Sequence, residues 1–201
     1  MIGFSQLANE PDSVISGEGI FHNDVLLDIM KNIEPLPWVE QAGVAKKLGD
    51  TKLKVIDPTV RSSKIKWLPQ EGEFRSLYNI LIDLISSKNK EYWNFDLHTF
   101  SENIQYAEYH AEDKGHYNWH LDLGPGQAAL RKLSVTIQLS DPKDYEGGDL
   151  EFNQGGEIFS TAPKAKGSIS IFPSYLLHRV TPVTKGVRKS LVVWVGGTHF
   201  R

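Results

Sequence analysis

Two histidines and an aspartate in this 201-residue sequence have the types and spacing to hold a metal ion. In His116-Tyr117-Asn118-Trp119-His120-Leu121-Asp122, strand alternation predicts Tyr117, Trp119 and Leu121 on one face and His116, Asn118, His120 and Asp122 on the other. Residues two apart on one strand face lie roughly 6.6 Å apart along the chain, close enough for both side-chain tips to converge on one cation. The third expected ligand is His178, which follows the strand-like Ser168-Ile169-Ser170-Ile171-Phe172 and the turn Pro173-Ser174. Two imidazoles and one carboxylate occupy one face of an octahedron and leave three positions open. That arrangement suits iron(II), which must take up a bidentate co-substrate and then dioxygen.

Ten residues beyond His178, Arg188 and Ser190 share one face of the expected strand Val187 to Val195, while Leu191, Val193 and Val195 take the other. A guanidinium is a rigid, permanently charged fork that matches a carboxylate, and a neighbouring hydroxyl can share the anion. The pair is therefore expected to hold the tail of a dicarboxylate.

These residues need a rigid β framework, and the second half of the chain has the pattern for one. Short runs rich in β-branched and aromatic residues, at 104–111, 116–122, 131–140, 149–152, 168–173, 177–181 and 187–195, are separated by turns such as Gly124-Pro125-Gly126 and Glu146-Gly147-Gly148. The first hundred residues carry helical spacing instead. Asn23 is the expected cap of a helix bearing Val25, Leu26, Ile29, Met30 and Ile33, stopped by Pro35 and Pro37. A second helix is expected from about Glu71 to Ser87, with Phe74, Leu77, Tyr78, Leu81, Leu84 and Ile85 as its apolar stripe. The fold class that follows is α+β, mainly β: a jelly-roll core over 101–201, buttressed by a mostly helical support over 1–100, in a single domain over 1–201.

Composition removes several alternatives. The chain has no cysteine, which excludes thiol nucleophiles, disulfides, iron–sulfur clusters and Cys-ligated zinc. A net charge of -3 provides no overall footprint for a phosphate backbone, so nucleic acid is not an expected partner. No run approaches the roughly 20 apolar residues that span a bilayer, and the N-terminal stretch lacks the pattern of a leader; the expected location is the cytoplasm.

His120-x-Asp122, a distal His178 and Arg188-x-Ser190 together resemble the prolyl-4-hydroxylase-like branch of the iron(II)/2-oxoglutarate dioxygenases, with the bacterial PKHD-type hydroxylases the nearest subgroup by pattern. The likeness extends over roughly 104–196. It includes Tyr106-Ala107-Glu108-Tyr109 ahead of Gly115, the segment Gly147 to Phe152, and Phe172-Pro173-Ser174 leading to His178 to Val183. The resemblance implies a double-stranded β-helix with Fe(II) on His120, Asp122 and His178. It implies that 2-oxoglutarate is held by Arg188 with hydroxyl help from Tyr109 and Ser190. It implies hydroxylation of a substrate by dioxygen, with release of succinate and CO2 and with ascorbate as a candidate reductant; a protein or peptide side chain such as proline is the implied substrate class. One departure is the spacing of Tyr109 and Gly115, six residues here where the family places a glycine three after the tyrosine.

Two other functions share parts of this pattern. A nucleic-acid demethylating oxygenase would use the same iron and co-substrate sites but repeats an arginine six residues after the first, where this chain has Trp194. A non-catalytic cupin-like module would hold a structural metal or a small ligand, and the Arg188–Ser190 pair argues against it. Among other polar residues, His22, His98 and His199 read as structural or surface groups. His116 with His120 would be a zinc pair only on a helix, since on a strand they stand roughly 13 Å apart. Thr136 and Gln138 either line the pocket or face solvent. Lys46-Lys47 and Lys64-Ile65-Lys66 read as solvated surface, and Arg61-Ser62-Ser63-Lys64 is a faint hint of substrate contact.

Overall fold

The computed structural model describes residues 4–6, 14–39, 44–48, 51–55, 57–155 and 159–199. Its first half supplies β1 (Phe4–Gln6), β2 (Ile15–Gly17), α1 (Asn23–Ile33), the hairpin of β3 (Val44–Leu48) and β4 (Thr51–Val55), β5 (Arg61–Ser62), β6 (Lys64–Leu68), α2 (Arg75–Tyr92) and β7 (Leu97–Phe100). The second half supplies β8 (Ile104–His110), β9 (His116–His120), β10 (Arg131–Gln138), β11 (Tyr145–Gly147), β12 (Leu150–Asn153), β13 (Phe159–Thr161), β14 (Ile169–Pro173), β15 (Leu177–Val180) and β16 (Val183–Gly197). The larger sheet runs β1-β2-β14-β10-β16-β8-β6, with β11 and β7 also paired to the long strand β16. The smaller sheet runs β13-β12-β15-β9-β5.

Alternation in the central strands decides what each layer buries. Leu133, Val135 and Ile137 of β10 and Leu191, Val193 and Val195 of β16 pack with Leu26, Ile29, Leu77 and Leu81 of the two helices. The opposite faces turn toward the smaller sheet, where Ala107, Tyr109, Phe152, Phe172 and Val180 form a second cluster. Phe152 and Phe172 meet edge to face across that interface with ring centroids 4.9 Å apart. This is the expected double-stranded β-helix, with the helices laid on the outside of its larger sheet. Among the described residues, no helix is long and apolar enough to cross a membrane.

The first half is less helical than its periodicity predicts, because β2, β6 and β7 join the larger sheet and β5 the smaller one. Strands of two to five residues are too short to carry a period of two, and their pairing with long buried neighbours decides their conformation. Helix α1 begins at Asn23 itself, with His22 in the cap position and no side-chain cap. Helix α2 outlasts its apolar stripe to Tyr92, since Asn89 closes its end by exchanging two hydrogen bonds with the Phe95 backbone, at 2.8 and 2.9 Å. Lys66 is not solvated surface: it is 4% exposed, and its ammonium donates to the Ile33 and Glu34 carbonyls that end α1. The side chains of Lys46 and Lys47 lie outside the described residues. The extra residues between Tyr109 and Gly115 form a 3-10 turn over Ala111–Asp113, closed by Lys114 at a φ of +48° and by Gly115 N–H donating to the His110 carbonyl. A Cβ on Gly115 would lie 2.6 Å from the His110 nitrogen, so the turn needs a glycine there.

Candidate metal and co-substrate site

His120, at the end of β9, and His178, in β15, are directly cross-strand partners. Strand β9 ends at His120, so Asp122 is placed by the turn that follows rather than by alternation. Its backbone N–H and that of Leu123 both donate to the Ser174 carbonyl, and its Oδ2 accepts a 2.6 Å hydrogen bond from Ser134 Oγ. Because Ser134 spends its proton on Asp122, the 3.0 Å contact to Ser174 Oγ has Ser174 as donor. One ligand atom from each of His120, Asp122 and His178 lies within 4.8 Å of the others, with no further His, Asp or Glu in that group among the described residues.

The imidazoles have a defined tautomer. Nδ1 of His120 sits 2.7 Å from the Asn118 carbonyl and Nδ1 of His178 sits 2.8 Å from the Leu176 carbonyl. A carbonyl only accepts, so each Nδ1 carries a proton, and it is Nε2 that offers a lone pair in the neutral ring. Those two Nε2 atoms face Asp122 at 3.7 and 3.6 Å. Two imidazole nitrogens and one carboxylate oxygen, brought together with no fourth His, Asp or Glu among the described residues, fit an octahedral iron(II) that must keep positions open.

Tyr117 departs from the expected face. Pairing of β15 with β9 shifts register between His178↔His120 and Val180↔Tyr117, a bulge that puts Tyr117 on the same side as His120. Its ring stacks on the His120 imidazole at 3.4 Å with an interplanar angle of 13°, and the Arg61 guanidinium covers its other face at 4.7 Å. Trp119 points away and lies under Arg179. Burial pushes the Tyr117 phenol up to about 12. A bulge leaves no mark in a seven-residue motif, so nothing in the sequence could have reported this placement.

Arg188, Ser190, Val192 and Trp194 line the same cavity as the three metal-binding candidates. Arg188 is 3% exposed and donates from Nη1 to Ser190 Oγ at 3.1 Å, with no carboxylate partner among the described residues. Tyr109 lines the cavity too, with its ring 5.5 Å from the Arg188 guanidinium. Thr136 and Gln138 turn out to be pocket-lining: Thr136 borders this cavity and both border its continuation past Arg188. On the open side, a polar groove of about 710 Å³ is lined by Trp38, Ser63, Lys64, Glu108 and Glu112, and Arg61 borders both spaces.

Burial holds His120 far below its ordinary 6.5, at about 3, and the neighbouring His178 charge acts in the same direction. Burial would raise the Asp122 carboxyl, but His178, His120, Arg131 and the Ser134 hydrogen bond outweigh it and keep the group ionised. The sign for stability follows directly. The unfolded chain protonates its histidine at 6.5 and the metal-free fold does not until about 3, so stability is full above pH 6.5 and falls as the pH drops through that window. We expect the metal-free protein to lose roughly 2 kcal/mol between pH 6.5 and 4.5 from this residue alone. Urea titrations at the two pH values would show it, and a His120→Gln variant should lack that component.

Residues 104–196 match the family model described as the 2OG-Fe(II) oxygenase superfamily. Within that stretch the chain is similar to PKHD-type hydroxylases. It is 46% identical over 83 residues to a PKHD-type hydroxylase of Hyphomonas neptunium, covering 39% of this chain and 37% of that one. It is 40% identical over 84 residues to one from Synechococcus sp. strain CC9311, covering 42% and 38%. The matched stretch is thus well under half the length of these relatives. In fold, the chain is similar to a Trichoplax adhaerens prolyl hydroxylase in complex with a hypoxia inducible factor peptide fragment, with a TM-score of 0.72 at 16% identity over 92% of this chain and 84% of that one. A Pseudomonas putida prolyl-4-hydroxylase aligns with a TM-score of 0.64 at 20% identity over 98% and 94%.

Proposed function

We propose that this protein is an Fe(II)- and 2-oxoglutarate-dependent hydroxylase whose metal is held by His120, Asp122 and His178. The observation that carries the reading is one cavity lined both by a two-histidine, one-carboxylate set and by the buried Arg188, which has no carboxylate partner among the described residues. In that reading Arg188 and Ser190 bind the distal carboxylate of 2-oxoglutarate, and Tyr109 closes the wall beside them. Bound there, ferrous iron would supply, with 2-oxoglutarate and dioxygen, the oxidising power that hydroxylates a C–H bond and releases succinate and CO2.

The side chains of this chain then have two tasks. The Nδ1–H bonds of the histidines and the Ser134 bond to Asp122 fix ligand orientation, which sets where the reacting substrate carbon must lie. Tyr117, Phe172, Val180 and Val192 give the cavity a largely apolar wall that limits water. The substrate is a protein or peptide side chain, a reading supported by the polar groove of about 710 Å³ beside the cavity, which has room for residues flanking the reacting one.

Succinate release is the direct test. The protein with Fe(II), 2-oxoglutarate and air should form succinate slowly even without its primary substrate, and faster with a cognate peptide. No succinate above a metal-free control, together with no visible charge-transfer band on anaerobic addition of Fe(II) and 2-oxoglutarate, would overturn the reading.

A further inference from the structure

We propose that Tyr145 is a third member of the co-substrate clamp, donating its phenolic proton to the same carboxylate as Arg188, and that Gln138 sets the direction of that bond. The inference rests on the 2-oxoglutarate reading above and adds residues that neither the motif nor the family match singles out.

The cavity does not stop at Arg188. Thr136, Leu150 and Arg188 line both the space in front of the metal-binding candidates and its continuation, where Gln138 and Tyr145 form part of the wall. Strand register brings the four polar residues together from three strands: Gln138 of β10 is paired with Ser190 of β16, and Tyr145 of β11 is paired with Gly186, two residues before Arg188. All four side chains are buried, at 3% exposure for Arg188 and Tyr145, 4% for Gln138 and 0% for Ser190.

Donor and acceptor counting then assigns the protons. Gln138 Nε2 donates to Tyr145 Oη at 2.9 Å, and the positive charge of Arg188 acts on the same phenol. An amide nitrogen only donates, so the phenol accepts from Gln138 and is left with its own proton to give. Burial raises the Tyr145 phenol, so the proton is present at neutral pH. The charge count selects the ligand: Lys164, over the Tyr145 ring, is paired with Asp149 at 3.0 Å, which leaves Arg188, among the described residues lining this part of the cavity, as the cation without an anion. One unpaired cation with converging hydroxyls takes one carboxylate, not a dianionic phosphate. Gly148 keeps the clamp open, since a Cβ there would lie 2.9 Å from Arg188 Cδ.

The test is an anaerobic titration of the iron-loaded full chain with 2-oxoglutarate and, separately, with 2-oxovalerate, which has the same chelating end and no distal carboxylate. Tyr145→Phe should raise the 2-oxoglutarate Kd about tenfold or more, the loss expected for one hydrogen bond to a charged group, and leave the 2-oxovalerate Kd and the charge-transfer band position unchanged. Gln138→Glu, which would draw the phenolic proton to itself, should weaken 2-oxoglutarate further and again spare the band position. An unchanged 2-oxoglutarate Kd in Tyr145→Phe, or an equal loss for both ligands, overturns the assignment. If the wild-type chain forms no band with either ligand, the co-substrate reading fails and this inference falls with it.

Discussion

Replacing His178 by alanine is expected to lower Fe(II) affinity by more than about 100-fold and to abolish the visible band that forms when 2-oxoglutarate joins the metal. Loss of a group that merely orients a ligand costs roughly 10- to 100-fold in metal affinity, so loss of a direct ligand should cost more. His178 is 5% exposed, and its ring packs against Phe172 with centroids 4.8 Å apart, so water cannot readily take its place. Calorimetric titration with Fe(II), or with Co(II) as an air-stable probe, would measure the loss, and a melting curve near that of the parent protein would show that the fold survived. A variant that bound metal as tightly as the parent and still formed the band would remove His178 from the site.

Arg188→Ala is the other large effect. The variant should weaken 2-oxoglutarate by roughly 2–5 kcal/mol, because a carboxylate would enter a buried pocket without its charged partner. At about 1.4 kcal/mol per decade that is thirtyfold or more. Metal affinity should stay where it was, since Arg188 contributes no atom to the His120, Asp122 and His178 group. Arg188→Lys should fall between the two, keeping the charge and losing the planar fork. Equal 2-oxoglutarate dissociation constants for Arg188→Ala and the parent would sink the role proposed for this residue.

How far the sequence could be read depended on how local the determinant was. Arg188 and Ser190 lie on a 15-residue strand, where strict alternation and the apolar partners Leu191, Val193 and Val195 place them correctly. The jelly-roll half was legible for the same reason, in strands such as β10 that are long enough to show their period. His120, Asp122 and His178 were found by type and spacing, yet Asp122 reaches its position through Ser174 and Ser134, residues 52 and 12 positions away along the chain. Tyr117 was assigned to the wrong face because a bulge is a property of two strands together and not of one. Tyr145 sits on a three-residue strand that has no periodicity to read. Trp194 stands where a nucleic-acid demethylating relative would carry a second arginine, and in the fold it lies under Arg131, 4.1 Å from its ring centre.

The segment from Pro173 to His178 touches every part of the candidate metal site. Its Ser174 carbonyl fastens the backbone at Asp122 and Leu123, its Ser174 hydroxyl backs Ser134, and its Leu176 carbonyl orients the His178 ring. All of these bonds join one part of the chain to another and none is made by an ion. The ordering entropy of the three candidate ligands is therefore spent when the chain folds, and capture of a metal would be a docking event into a finished socket. The binding free energy of the ion then adds to the stability of the native state in full, by mass action, rather than being drawn down to organise the loops that receive it.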